Sequence, residues 1–171
     1  MIKNTHFLVI SFALCGLALL TCTVERQPCL TPTIASLNIE CMHLPTDTAT
    51  IFIDTALPSA VFTALTPTRS DSTIYPQQSL FTLSLSPDTT YCQWQFITDT
   101  ALSKYAKYDV ITFRYQRDLQ FLSNSCGYAY FYTLDTVYST HNIIDSLHLI
   151  NTSVTNDVNT THVQIFIHPD Y

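Results

Sequence analysis

The chain is 171 residues long with a formal net charge of −6, and 47% of its residues are hydrophobic against 12% charged. That is too apolar for disorder, and the few basic residues form no run, which argues against a nucleic-acid partner because phosphate binding needs a basic footprint. Only two glycines are present, Gly16 and Gly127. Their scarcity removes every Gly-rich phosphate loop, dinucleotide fingerprint and nucleophile elbow, and with them the Rossmann enzymes, kinases and α/β-hydrolases.

Met1 to His6 carry one positive charge, at Lys3, ahead of an apolar run from Phe7 to Leu20 that ends at Thr21-Cys22. This is the layout of a secretory signal peptide. As a helix the run would span about 21 Å, short of a hydrocarbon core of about 30 Å, so a transmembrane anchor is the weaker reading. The stretch Leu19-Leu20-Thr21-Cys22 resembles a bacterial lipobox, in which the cysteine sulfur is acylated and the preceding peptide bond is cut. Thr21 departs from the smaller residue usual there, and ordinary signal-peptidase cleavage nearby is the alternative. The expected organisation is a signal peptide over 1–21, lipidation at Cys22, a polar tether over 22–33 and one domain over 34–171.

Within that domain, short alternating apolar runs recur between Pro, Asp, Asn and Ser, the pattern of an all-β antiparallel sandwich, Ig-like or related. Strands are predicted at 34–43, 50–54, 60–65, 80–86, 91–98, 109–116, 119–122, 128–137, 143–150 and 162–168. Alternation puts Leu37, Ile39 and Cys41 on one apolar face, with Phe81, Leu83 and Leu85, Cys92, Trp94 and Phe96, Ile111, Phe113 and Tyr115, and Val163, Ile165 and Ile167 on others. Asp88-Thr89-Thr90 fits a hairpin loop, and Gln116 to Asp118 would turn one strand into the next.

With Cys15 in the leader and Cys22 lipidated, Cys29, Cys41, Cys92 and Cys126 remain, an even number that allows three connectivities. Cys41 and Cys92 share apolar strand faces, and Cys92 lies two positions from the sole tryptophan, Trp94. A buried bridge between them is expected, leaving Cys29 with Cys126. A four-cysteine zinc site is disfavoured because no C-x₂₋₄-C spacing occurs.

Cys22 with Cys29, then DVITFRYQR (Asp109 to Arg117) and SNSCGYAYFYTLD (Ser123 to Asp135), together resemble a group of uncharacterised Bacteroidota lipoproteins. The resemblance implies an extracytoplasmic compartment and an all-β fold, and carries no catalytic residue. The acidic cluster that marks surface export in such lipoproteins does not follow Cys22, which favours the periplasmic face of the outer membrane. The same origin suggests O-glycosylation at Asp-Ser/Thr followed by a small or apolar residue. Thr48, Thr55, Ser72, Thr89, Thr100, Thr136 and Ser146 match, although Asp-Thr and Asp-Ser also form turns on their own account.

Chemistry-bearing groups are sparse. His141, His148, His162 and His168 crowd the C-terminal third, but without HExxH or HxH spacing they read as solvated imidazoles, and no metal or cofactor is expected. Asp109, Arg114, Arg117 and Asp118 read as surface ion pairs before catalytic groups. Tyr128, Tyr130 and Tyr132 share one face of a strand and are either a contact surface for a protein or glycan or an ordinary aromatic ladder. The favoured expectation is a non-enzymatic, lipid-anchored sandwich that binds an envelope protein or glycan; a periplasmic hydrolase is the alternative.

Overall fold

In the computed structural model, residues 28–43, 51–65, 71–99 and 107–167 are described. They form strands β1 (Leu37–His43), β2 (Ile53–Asp54), β3 (Leu57–Ala64), β4 (Ser72–Gln78), β5 (Leu80–Leu83), β6 (Tyr91–Ile97), β7 (Asp109–Ser123), β8 (Gly127–Tyr138), β9 (Ile144–Leu149), β10 (Ser153–Val154) and β11 (Val163–Ile167). All of these lie within one unit, Thr31–Tyr171. Two sheets result, and they pack as a β-sandwich.

The first sheet runs β2-β1-β11-β9, with β5 also on β1. β1 is its axis. One edge of β1 pairs in parallel with β11, from Ile39 opposite Val163 to His43 opposite Ile167. Its other edge is divided, with β5 beside Leu37 to Glu40 and β2 beside Met42 and His43. The second sheet is antiparallel throughout, in the order β10-β8-β7-β6-β3-β4.

The apolar faces expected from alternation meet between the sheets. Leu37, Ile39, Cys41, Phe81, Val163 and Ile165 from the first sheet, and Phe62, Phe96, Ile111 and Phe113 from the second, are fully buried. Phe62 lies with its ring centroid 5.1 Å from Phe81 across the interface and 4.8 Å from Phe96 beside it. Burying such side chains contributes roughly 1.5–3 kcal/mol each, the main term holding two sheets together.

Several expected elements differ. The turn at Gln116 to Asp118 does not exist: β7 continues through it, because the polar residues there face water while the backbone stays paired to β8 from Gln116 opposite Thr133 to Asp118 opposite Phe131. The loop at Asp88 to Thr90 is not a hairpin but the passage from β5 in the first sheet to β6 in the second. β4 carries no alternating apolar signal, since it is an edge strand with a largely exposed face, and an edge tolerates Pro76.

The seam between β1 and β11 contains two buried polar residues, Asn38 and His162. The Asn38 amide donates to His162 Nδ1 at 3.0 Å, and the His162 amide donates to the Asn38 carbonyl at 3.0 Å. With Nδ1 accepting, Nε2 carries the hydrogen and donates to the Ser153 carbonyl at 3.2 Å. The Asn38 side chain donates to the carbonyls of Val158 and Thr160 and accepts from the Thr82 hydroxyl. His162 is therefore not the solvated imidazole expected from alternation. It precedes β11, where the chain bends inward to satisfy backbone groups that β1 would otherwise bury unpaired.

Burial holds the His162 imidazole below its ordinary pKa, against the hydrogen bond to the Ser153 carbonyl that pulls it up. The folded state thus binds its proton less readily than the unfolded chain, so this contribution to stability is whole above the unfolded value, about pH 6.5, and declines as pH falls below it. Urea midpoints should fall between about pH 7.5 and 5.5. His162→Gln should lower stability by about 1–2 kcal/mol at neutral pH and flatten that dependence.

Candidate functional site

The β7–β8 hairpin is longer than the sheet that carries it. β6 pairs with β7 only as far as Arg114, and β10 reaches β8 only at Tyr132 and Thr133. Beyond these points Asp118 to Ser123 and Gly127 to Phe131 pair with each other alone among the described residues, forming a two-stranded arm. Its tip is closed by the Cys126 amide donating to Ser123 Oγ at 3.0 Å, and by Gly127 at a φ of 71°, a conformation glycine adopts without strain.

One face of this hairpin presents the cross-strand pairs Arg117–Tyr132, Leu119–Tyr130 and Phe121–Tyr128. Of the two readings of Tyr128, Tyr130 and Tyr132, contact surface or aromatic ladder, Tyr132 fits only the second, being 6% exposed. Its ring packs edge-on against Tyr115 at 5.3 Å and its hydroxyl donates to the Leu85 carbonyl at 3.4 Å. The face is continuous but its cover is not. The segment after β5 covers it at Tyr132, and past that point Tyr130 is 38% exposed, Leu119 52%, Phe121 55% and Tyr128 66%. Phe121 and Tyr128 form an edge-on ring pair at 5.2 Å. Leu119 and Phe121 belong to this surface as well as the tyrosines; alternation over the strand expected at 119–122 puts the two on one face, but only the pairing with Tyr130 and Tyr128 joins them to the aromatic row.

A cleft of about 300 Å³ lies near the opposite edge of the second sheet, lined by Asp71, Thr73, Ser86, Cys92, Gln93 and Trp94 among others. Burial pushes the Cys92 thiol up to about 12, only partly offset by hydrogen bonds from Trp94 and Tyr115. It is a neutral thiol at physiological pH.

Cys41 and Cys92 are both free, which overturns the bridge expected between them. Parity placed both side chains on interior faces, but parity says nothing of height along a strand. Cys92 sits beside Leu85, just past the β5 residue Leu83 that pairs with Leu37. Cys41 lies four positions beyond Leu37 along β1, about 13 Å further on. A disulfide needs Cα atoms within roughly 7 Å. Cys29 and Cys126 are each in disulfide linkage. Cys22 lies outside the described residues.

Asp109 is fully buried and committed to structure. Its Oδ1 accepts from Thr140 Oγ1 at 2.5 Å and the Asn142 amide at 2.8 Å, and its Oδ2 from the amides of Ile143 at 2.7 Å and Ile144 at 2.8 Å. Burial alone would raise its pKa, but the donors from Asn142, Thr140, Ile144 and Ile143 outweigh it and hold the carboxyl below its usual range. The carboxylate pins the start of β7 to the entry of β9. Asp118 instead lies on the arm and accepts from Gln120 Nε2 at 2.7 Å, while Arg117 donates to the Pro87 carbonyl.

Of the candidate acceptor hydroxyls, Thr48 and Thr100 lie outside the described residues, as does His168. Thr136 is exposed on β8. Ser72 is exposed with its hydroxyl 2.9 Å from that of Thr63, and the Thr89 hydroxyl donates to the Tyr91 carbonyl at 2.7 Å. Thr55 is half-buried with its hydroxyl bonded to His43 and to the Ile53 carbonyl, and Ser146 is half-buried in β9. Among the described residues no three His, Cys, Asp or Glu side chains are placed to hold a metal ion.

The architecture defines an all-β sandwich protein with a projecting, apolar-faced hairpin. Residues 60–167 match the model of a family of unknown function (DUF6452), and the chain belongs to that family. The match runs from within β3 to the end of β11. No curated protein and no solved structure matches the chain.

Two predictions follow from these side chains. Asp109→Ala strands four donors, two of them on buried residues, and should cost about 3 kcal/mol or more in urea unfolding at neutral pH. The wild-type contribution of this carboxylate is whole above about pH 4 and is lost as acid protonates it, so the deficit of the variant should shrink there. Peptide mapping after alkylation under non-reducing, denaturing conditions should find Cys41 and Cys92 labelled, whereas the folded protein should leave both thiols almost unreacted.

Proposed function

We propose that the chain is a lipid-anchored protein of the bacterial cell envelope, held at Cys22 to the outer membrane on its periplasmic side, which works by binding through its β7–β8 arm. The observation that carries the binding reading is the arm itself: four large apolar side chains, Leu119, Phe121, Tyr128 and Tyr130, stand exposed on one face of a two-stranded projection. Soluble monomers rarely leave contiguous apolar surface open, and where they do it marks an interaction site. The clustering of rings there matches the chemistry of contact surfaces, in which tyrosine supplies area at low entropic cost.

The chemistry elsewhere points the same way. The buried carboxylate of Asp109 has its lone pairs filled by structural donors, and the Cys92 thiol in the cleft is protonated at neutral pH. The linkage state of the cysteines supports an oxidising compartment, since Cys29 and Cys126 are both in disulfides. The reading includes a bridge from Cys29 to Cys126 that fastens the tether to the tip of the arm. Ser72, Thr89 and Thr136 are exposed and are acceptor hydroxyls within reach of a glycosylating enzyme in this reading.

Cys22→Ala should release the protein from the membrane fraction of its host, and intact-mass analysis should show loss of the acyl mass. Retention of the alanine variant in membranes as an uncleaved chain would overturn the anchor. Non-reducing peptide mapping should recover Cys29 and Cys126 in one linked pair; any other partner for Cys126 refutes the fastened tether.

A further inference from the structure

We infer that the exposed face of the arm seats in the headgroup interface of the bilayer that carries the anchor, so that the protein touches its membrane at two points, a lipid and a protein hairpin. The inference rests on the anchored reading above.

Two observations, and one consequence of the proposed anchor and bridge, choose the bilayer over other occupants. The first is the composition of the face. Phe121 and Leu119 are wholly apolar, and Tyr128 and Tyr130 carry one hydroxyl each on an apolar ring. Amphipathic rings with one wet end concentrate at membrane–water interfaces. The second is charge. The whole chain carries −6, yet the ionised side chain on this face is a cation, Arg117, while Asp118 alternates to the other face with Gln120 and is hydrogen-bonded to it. The face of Leu119, Phe121, Tyr128 and Tyr130 therefore turns no carboxylate of the arm toward anionic headgroups, which the rest of the molecule would repel.

The consequence of the proposed anchor and bridge is reach. Cys22 and Cys29 are seven positions apart, at most about 25 Å of extended chain. Cys126 lies in the turn at the tip of the arm, and from that tip to Tyr132 the hairpin extends roughly 17–20 Å at about 3.3 Å per residue. With Cys29 bridged to Cys126, the tip cannot stand further from the bilayer than the short tether allows. The apolar face begins immediately behind that tip, at Phe121 and Tyr128, so the anchor delivers it to the interface without any rearrangement of the sandwich.

The test uses the full mature chain with a tryptophan placed at an exposed position, Tyr128→Trp on the arm or Leu80→Trp on β5 as the control, in vesicles of phosphatidylethanolamine and phosphatidylglycerol with brominated acyl chains. The buried Trp94 of the wild type supplies the background. Emission from position 128 should shift to the blue and be quenched by the bromines, while position 80 should show neither change. Removing the anchor with Cys22→Ala should leave a weak vesicle affinity, and adding Leu119→Ser and Phe121→Ser should lower it by about tenfold or more. Since both serines replace exposed side chains, the thermal midpoint should stay near that of the parent. Flotation with vesicles but unquenched emission at 128 overturns the seated arm and leaves the anchor standing; failure to float at all overturns both. A concentration-dependent dimer that shields position 128 without vesicles assigns the face to a second copy, and overturns the inference as well.

Discussion

The exchange of hydrogen bonds between Asn38 and His162 is the constraint on which the first sheet depends. β1 and β11 lie side by side in parallel, and no tight turn can join parallel neighbours. Their register has to be set by side chains. Asn38 supplies an amide to the imidazole, takes one back at its carbonyl, and gathers the carbonyls of Val158 and Thr160 and the hydroxyl of Thr82 around one buried amide group. A neutral histidine can donate and accept at once, which a lysine or a second asparagine in that position could not do with the same reach. The apolar pairing of Ile39 with Val163 and Cys41 with Ile165 then follows from that single alignment.

A comparable pair of hydroxyls ties the sheets to each other. Tyr115 holds Ser86 at both its amide and its carbonyl, each at 3.0 Å, and Tyr132 reaches the carbonyl of Leu85. These contacts fix the passage between β5 and β6 over the β7–β8 hairpin, and they mark where the core ends. The same hairpin face is interior at Tyr132 and exterior from Tyr130 onward, without any change in its chemical character. What separates a core residue from a contact residue here is the length of the opposite layer.

Alternation in the sequence is enough to place Leu37, Ile39, Phe81, Phe96, Phe113 and Ile165 in the core, since period two maps directly onto the faces of a strand. It does not report height, so it paired Cys41 with Cys92 although they sit at different levels of the sandwich. It does not report cover, so it treated Tyr128, Tyr130 and Tyr132 as equivalent. β4 was illegible for the opposite reason: an edge strand needs no apolar stripe, and Pro76 reads as a breaker until the empty hydrogen-bonding side of an edge accommodates it. The buried roles of Asp109 and His162 were hidden because each is defined by backbone donors and acceptors far away in the chain, which no local pattern encodes.

The parallel seam also dictates when the domain can exist. Asn38 and His162 are 124 residues apart, and β1 has one hydrogen-bonding edge unpaired until β11 has been made. Pairings of such long range are slow to form, because the intervening chain must be gathered before that pairing rewards it. A nascent chain therefore carries an open first sheet through almost the whole of its synthesis. Any apparatus that must handle it as an extended polypeptide competes against a fold that has not yet acquired its last strand, so late closure leaves the chain threadable without a dedicated unfolding step.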